Sequence, residues 1–309
     1  MAIALQILAG GFAAGAIYGL VAVGHSLVFR LTGVVHFAFG ELIALGVFVT
    51  LFVAAGSGPV SQTSVGGGRF LLALVVGLLV TAAASVGAYF LAIEPYRARG
   101  SVIGWVGASL AVAFTIRTLL IVFFDRPAYV FPDPIPFHDA GRDGVVTVAG
   151  ATFQLRSLYV IALGVVLALL VEYVVGRTPF GRGLQAIEQD DEGASVVGVP
   201  HDRFVGLAFG LVGAVAVVIA IAAAPSGPFS ATTGMLLGVK GLVAALAVGF
   251  RSPMWAFVAG LALGVVEAAI ASGELSGHVL GPAYREVLPI LVVLLLLALR
   301  GRARTPEPE

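Results

Sequence analysis

The sequence predicts an all-α integral membrane protein, a polytopic bundle of about 8–10 transmembrane helices with a broken or re-entrant helix near 33–41. Three observations predict it. Of 309 residues, 59% are hydrophobic and only 11% charged, less than half the share of about 25% usual in soluble domains. Mean hydropathy is +1.06. Apolar stretches recur along the chain at close to the roughly 20 residues that a bilayer core of about 30 Å requires, and no polar segment is large enough for a soluble domain.

The first stretch, 3–30, has no basic residues before it and outruns a signal peptide, so it reads as a retained transmembrane helix. The second, 34–55, opens on a segment where Gly33 and Gly40 bracket His36, Phe37 and Phe39. Irregular backbone at membrane depth is tolerated where it lines a cavity, so this patch reads as a broken helix on a solute path. Stretches at 70–93 and 102–124 follow, then a hydrophilic loop at 125–157. That loop carries Pro127, Pro132, Pro134 and Pro136 and then alternates through Val146, Val148, Gly150, Thr152 and Phe153, the pattern of a small hairpin turning near Gly150.

The stretch 157–175 leads into a second hydrophilic segment, 176–203, where Thr178 and Pro179 form an N-cap and first-turn pair. Phe180, Leu184 and Ile187 then share one helical face. Asp190, Asp191 and Glu192 favour the start of a second short helix ending near Gly198 and Pro200. Four more apolar stretches, 204–224, a short one at 235–250, 254–272 and 287–299, precede a tail at 300–309. The whole reads as a single membrane domain, 1–309. Glycines four apart, as in Gly11, Gly15 and Gly19, Gly206 and Gly210, and Gly260 and Gly264, let such helices approach closely.

Threading these stretches through a bilayer places Arg30, Arg97, Arg99, Arg177, Arg182, Arg203, Arg251, Arg300, Arg302 and Arg304 on one side. Arg69, Arg126, Arg142, Arg156 and Arg285 fall on the other. The positive-inside rule makes the richer side cytoplasmic, with the N-terminus outside, the C-terminus inside, loop 125–157 external and segment 176–203 cytoplasmic.

Several functions are excluded. The chain has no cysteine, and its 17 basic and 17 acidic residues leave no electrostatic footprint for nucleic acid. The five histidines, His25, His36, His138, His201 and His278, are not spaced as metal ligands, so no metal site is expected. Gly234 to Gly241 contains a lysine but lacks the spacing and the Ser/Thr of a phosphate-binding loop, so the chain has no ATP site of its own. No acid/base or nucleophile constellation marks it as an enzyme.

Charges inside apolar spans cost about 2.5–3.5 kcal/mol each on insertion scales and therefore mark a transport pathway or an internal pair. Glu41, Arg117 and Lys240, the only lysine, qualify. One expectation is that Glu41 and Lys240 pair within the bundle. Another places Glu41 at the cytoplasmic interface near Arg30, and Arg117 beside an acid of another span or shifted towards an interface.

Three stretches together carry a family resemblance. In the first, from Gly10 through Val49, Phe37, Ala38, Gly40 and Glu41 match an Asn-Phe-Ala-His-Gly-Glu turn, with His36 for the Asn and Phe39 for the His. In the second, Phe180, Gly181, Arg182, Leu184, Ala186, Ile187, Ala194 and Gly198 match a Phe-Gly-Arg-x-Leu-Arg-Ala-Ile loop, with Gln185 for the Arg and Gly193 where Ala is common. In the third, Gly238, Lys240, Gly260, Gly264 and Glu267 match, and Phe250 replaces the second glycine of a Gly-Gly pair. The chain thereby resembles the permease subunits of branched-chain amino-acid ABC transporters, particularly the shorter, LivH-type subunit, from about Gly10 to Ala269.

The resemblance implies an importer subunit for branched-chain amino acids or a related small polar solute, in the cytoplasmic membrane of a bacterium or archaeon. ATP would be bound by partner ABC ATPase subunits, and this chain would carry no cofactor. A second homologous permease subunit and an external solute-binding protein are the other implied partners, besides membrane lipid. His36, Phe37, Phe39, Gly40, Glu41 and Lys240 are the candidate solute path. Phe180, Gly181, Arg182, Leu184, Ile187, Asp190, Ala194 and Gly198 are the candidate ATPase-coupling surface, with Phe180, Leu184 and Ile187 filling a groove on the ATPase. A secondary transporter or channel is the alternative, since broken helices and intramembrane charges suit it equally.

Overall fold

The structure is a computed structural model that describes residues 2–55, 67–97, 101–124, 128–131, 144–148, 151–250 and 252–272, together with Val287 and Leu291. The expected span at 287–299 otherwise lies outside the described residues. So do the tail at 300–309 and parts of loop 125–157.

Eleven α-helices are described: α1 (Ala2–Thr32), α2 (Phe39–Ala55), α3 (Gly67–Ala88), α4 (Glu94–Arg97), α5 (Val102–Phe123), α6 (Leu155–Arg177), α7 (Pro179–Gln189), α8 (Asp191–Val196), α9 (His201–Ala223), α10 (Thr233–Ala247) and α11 (Pro253–Ala271). A π-helical turn, Tyr89–Ile93, joins α3 to α4, and a 3-10 turn, Ala224–Ser226, follows α9. Six helical segments among the described residues are long and apolar enough to cross a membrane: Ala4–Arg30, Gly67–Tyr96, Ile103–Phe123, Leu155–Arg177, His201–Ser226 and Pro253–Ala271. The helices α2 and α10 are equally apolar but shorter. This is a polytopic helical membrane protein.

Local chemistry sets the helix ends. The α1 helix stops at Gly33, whose φ of +68° favours glycine and whose N–H donates to the Phe29 carbonyl at 2.7 Å. The backbone stays non-helical until Phe39, which is the expected break, and α2 is accordingly shorter than the stretch 34–55 suggests. Ser101 caps α5 by accepting the Gly104 N–H at 3.0 Å.

The loop expected to form a hairpin does so. Strands β1 (Val145–Val148) and β2 (Ala151–Gln154) pair antiparallel, with Val148 opposite Ala151. A small two-stranded sheet is thus added to the all-α expectation, because β-branched residues alternate there beyond the end of an apolar run.

The chain divides into two compact units. One contains Met1–Val23, Phe137–Ala168 and Lys240–Glu309. In it, the glycines of α1 and α11 pack backbone on backbone. A Cβ on Gly15 would lie 2.7 Å from the Leu261 carbonyl, and one on Gly11 would lie 2.6 Å from the Val265 Cα. Packing at this distance replaces the hydrophobic drive that lipid removes. The other unit contains Gly24–Pro136 and Leu169–Val239. Its core is the mutual packing of α2, α3 and α9 around buried Phe39, Phe48, Tyr89 and Phe209.

Candidate functional site

In the second unit, the break between α1 and α2 presents a polar-aromatic cluster. His36 is fully buried, its ring edge-on to Phe209 at 5.4 Å between centroids, and neither ring nitrogen has a hydrogen-bond partner among the described residues. Phe209 also stacks on Tyr89 at 4.9 Å. Phe39 is buried edge-on to His25 at 5.0 Å, and His25 donates from Nε2 to the Gly238 carbonyl at 3.0 Å. Gly40 lies against Gly234 and Gly238, where an added Cβ would sit 3.0 Å from the Gly238 Cα. Phe37 is set apart from its neighbours: its side chain is exposed, while its N–H meets Ser109 Oγ at 3.4 Å.

Glu41 lies in the first turn of α2, where the helix dipole favours a carboxylate. Its Oε1 accepts from Arg117 Nη2 and, at 2.9 Å, from Arg117 Nε, while Oε2 has no hydrogen-bond partner among the described residues. Glu41 is only 1% exposed and Arg117 18%. The guanidinium also lies over the Phe114 ring at 5.5 Å.

In the first unit, Lys240 Nζ donates to both Glu267 oxygens, at 3.0 and 3.1 Å, and to Tyr18 Oη at 2.9 Å. The ammonium sits 4.7 Å from the centre of the Tyr18 ring, a cation–π contact. All three side chains are buried.

The expected Glu41–Lys240 pair is therefore corrected. Each charge has its own partner, Arg117 for Glu41 and Glu267 for Lys240, because a buried charge needs a counter-charge on a helix packed beside its own. Arg117 does meet an acid of another span. Arg30 is not the partner of Glu41.

On the third candidate surface, the Thr178 side chain accepts the Gly181 N–H at 3.1 Å and Pro179 fills the first turn of α7. Asp190 caps α8 through the Gly193 N–H at 3.0 Å. The Thr178 cap and both helices follow the sequence expectation, and within the expected acidic start of the second helix it is Asp190 that caps. The apolar face does not. Leu184 and Ile187 are buried at 1% and 8% exposure, and Phe180 stacks on Phe204 at 5.8 Å. Gln185 Nε2 donates to the Val175 carbonyl at 2.9 Å, Gly181 packs on the end of α6, and Ala194 is buried. These residues anchor α7 and α8 to the chain's own α6 and α9, so Leu184 and Ile187 are covered by the chain itself rather than offered to an ATPase groove, while Phe180, stacked on Phe204, stays half-buried. A short helix with one apolar stripe buries it against the nearest apolar helices. The surface left outward holds Arg182, Asp190, Gly198 and, most exposed, Val196 and Val197.

The model of the branched-chain amino acid transport system permease component matches residues 7–297. The chain belongs to this permease family. Among relatives, the high-affinity branched-chain amino acid transport system permease protein BraD of Pseudomonas aeruginosa is 25% identical over 315 residues, covering 99% of this chain and 96% of that protein. The corresponding LivH protein of Escherichia coli K12 is 24% identical over 326 residues, covering 99% and 97%. Among solved structures, PsaBC from Streptococcus pneumoniae in complex with Fab matches at a TM-score of 0.47 and 13% identity, over 94% of this chain and 90% of that one. The resemblance carried by the three motifs is borne out.

Sequence reasoning about the permease missed Glu267 as a partner, although the same criterion that selects Lys240 applies to it: a lone acid within the apolar stretch 254–272. Tyr18 and His25 carry no such signal. Their roles follow from which helices meet.

Proposed function

We propose that the chain is the membrane-spanning subunit of an ATP-binding-cassette importer for branched-chain amino acids or a related small polar solute. The observation that carries the reading is the family match over residues 7–297, and the named substrates of its relatives supply the solute class. ATP is bound and hydrolysed by partner subunits. A second homologous permease subunit completes the membrane domain, and an external binding protein delivers the solute.

In this reading α7 and α8 lie on the cytoplasmic side, as the arginine asymmetry favours, with the N-terminus outside. The ATPase contacts Val196 and Val197, 86% and 77% exposed, flanked by Arg182 and Asp190. The buried face of α7 then has a mechanical role. Because Leu184, Ile187 and the Phe180–Phe204 stack tie the pair to α6 and α9, a displacement at Val196 is passed to two helix ends rather than absorbed by a slack loop. His36, Phe37, Phe39, Gly40 and Glu41 are the proposed solute path of the second unit, and Lys240 that of the first.

Reconstitution with the ATPases, the second permease chain and the binding protein tests the reading. ATP-dependent uptake of L-leucine, lost when Val196 and Val197 are both changed to Asp, is the expected result.

A further inference from the structure

We infer that the pairing of Tyr129 with Phe229, together with the rings of Phe48 and Phe124, is a gate on the solute path that parts in each transport cycle. The inference rests on the importer reading above and assigns it the residues that open. The second unit contains a repetition: the break before α2 and the segment before α10 are built alike. The Phe39 N–H donates to the His36 carbonyl at 3.3 Å, and the Thr233 N–H donates to the Ser230 carbonyl at 3.1 Å. The Leu42 N–H then donates to the Ala38 carbonyl at 2.9 Å, and the Leu236 N–H to the Thr232 carbonyl at 3.5 Å. Phe39 and Thr233 are also the residues at which α2 and α10 begin. Between 36–42 and 230–236 only Gly40 with Gly234 and Leu42 with Leu236 are identical, so the likeness is hidden in the sequence.

The two helix starts touch, and they do so reciprocally. A Cβ added to Gly40 would meet the Gly234 carbonyl and the Gly238 Cα. One added to Gly234 would meet the Gly40 carbonyl and the Ala44 Cβ. This is the pattern of two helix starts crossing antiparallel about a local two-fold, so the chain before each start lies on the opposite side of the crossing. Rings close both sides. Before α2, His36 meets Phe209, which also stacks on Tyr89 and lies 6.4 Å from Trp105 between centroids. Before α10, Phe229 meets Phe48 at 6.3 Å, and Phe48 meets Phe124 at 4.6 Å and Tyr129 at 5.5 Å. At a rise of about 1.5 Å per residue, Phe48 stands about 13 Å further along α2 than Phe39, so the two clusters are separate closures.

Alternating access opens two such closures in turn. They are fastened differently. Tyr89, Trp105 and Phe209 stand on helical backbone, so the His36 closure opens only as whole helices move. Tyr129 and Phe229 form an isolated antiparallel bridge outside any strand, with N–H donations of 2.9 and 2.8 Å between them. Such a bridge parts without unwinding a helix, and water on the open side satisfies the groups it releases. Because it ties the chain after α5 to the chain before α10, its parting frees the start of α10 to shift against α2 at the Gly40–Gly234 crossing.

The test uses the complete reconstituted importer and radiolabelled L-leucine. A hydrogen-bonded antiparallel pair holds its Cα atoms about 5.5 Å apart, within the span of about 4.4–6.8 Å that a disulfide bridges. This chain has no cysteine, so Y129C/F229C gives it one pair of thiols and no competing one. Oxidation of Y129C/F229C is expected to lower uptake at least ten-fold and dithiothreitol to restore it, while the same treatments leave the wild type unchanged. A bridge that only tied two segments together would be indifferent to the staple. Uptake within two-fold of the reduced form, with the disulfide verified by mass spectrometry, would overturn the proposal, as would failure of the two thiols to oxidise. Should reduced Y129C/F229C not transport, S230C decides. Its half-buried thiol beside the bridge should react with a membrane-impermeant methanethiosulfonate at least ten-fold faster during ATP turnover than at rest, and equal rates overturn the proposal. A wild-type complex without ATP-dependent uptake would overturn the importer reading itself, whereas wild-type uptake that survives in the stapled variant overturns the gate alone.

Discussion

The Glu41–Arg117 pair makes an asymmetric prediction. Its two ends are unequally buried, the carboxylate at 1% exposure and the guanidinium at 18%. Changing Arg117 to Met strands the carboxylate in the core with no second cation bonded to it among the described residues, and losing one partner of a buried pair costs about 3–5 kcal/mol. Changing Glu41 to Gln removes a charge-assisted hydrogen bond, worth about 1.5–3 kcal/mol. Arg117 keeps its stem over Phe114 and turns its head to the open side, which limits further loss. The expected order is therefore R117M worse than E41Q by about 2 kcal/mol, with E41L/R117M recovering most of the deficit because no charge is left unpaired. The assay is unfolding of the purified chain in mixed micelles by SDS titration. It can be followed by the fluorescence of Trp105, buried on the same helix as Arg117. Equal losses in the two single variants, or a double variant whose loss is their sum, would refute the reasoning.

Three further outcomes follow from other parts of the molecule. Phe250 occupies a left-handed backbone at φ +57°, so in the same unfolding assay F250G should be more stable than F250A by about 1 kcal/mol, and the reverse order would contradict that conformation. V196D/V197D should leave the unfolding midpoint of the chain unchanged while weakening its co-purification with the ATPase, whereas L184D should lower the midpoint sharply because Leu184 is buried; a benign L184D would contradict the anchored α7. T178A removes the cap of α7 and is expected to cost about 1 kcal/mol, with loss of helicity confined to 179–189 in hydrogen exchange.

Much of the fold was legible because its signals are local. The break after Gly33, the Thr178 cap, the acidic start of α8 and the 145–154 hairpin each depend on residues within a few positions of one another. Membrane insertion itself is a property of composition. The ion pairs were not legible in the same way. Glu41 and Arg117 are 76 residues apart, and the charges alone allow several pairings until helix packing selects one. The Phe180–Leu184–Ile187 stripe illustrates a second limit. Periodicity reveals that a face is apolar but not whether its cover is the chain itself or another protein, and here the chain's own α9 takes it. Phe250 adds a third. Its left-handed conformation follows the position of a glycine in the family pattern and would not be inferred for a phenylalanine from its own preferences.

The most direct measurement is uptake into proteoliposomes holding this chain, its homologous partner, the ATPase subunits and the binding protein, with ATP sealed on the ATPase side. The importer reading predicts L-leucine accumulation that requires ATP and the binding protein and persists when ion gradients are collapsed. Accumulation by this chain alone, driven by an ion gradient and indifferent to ATP, would contradict it.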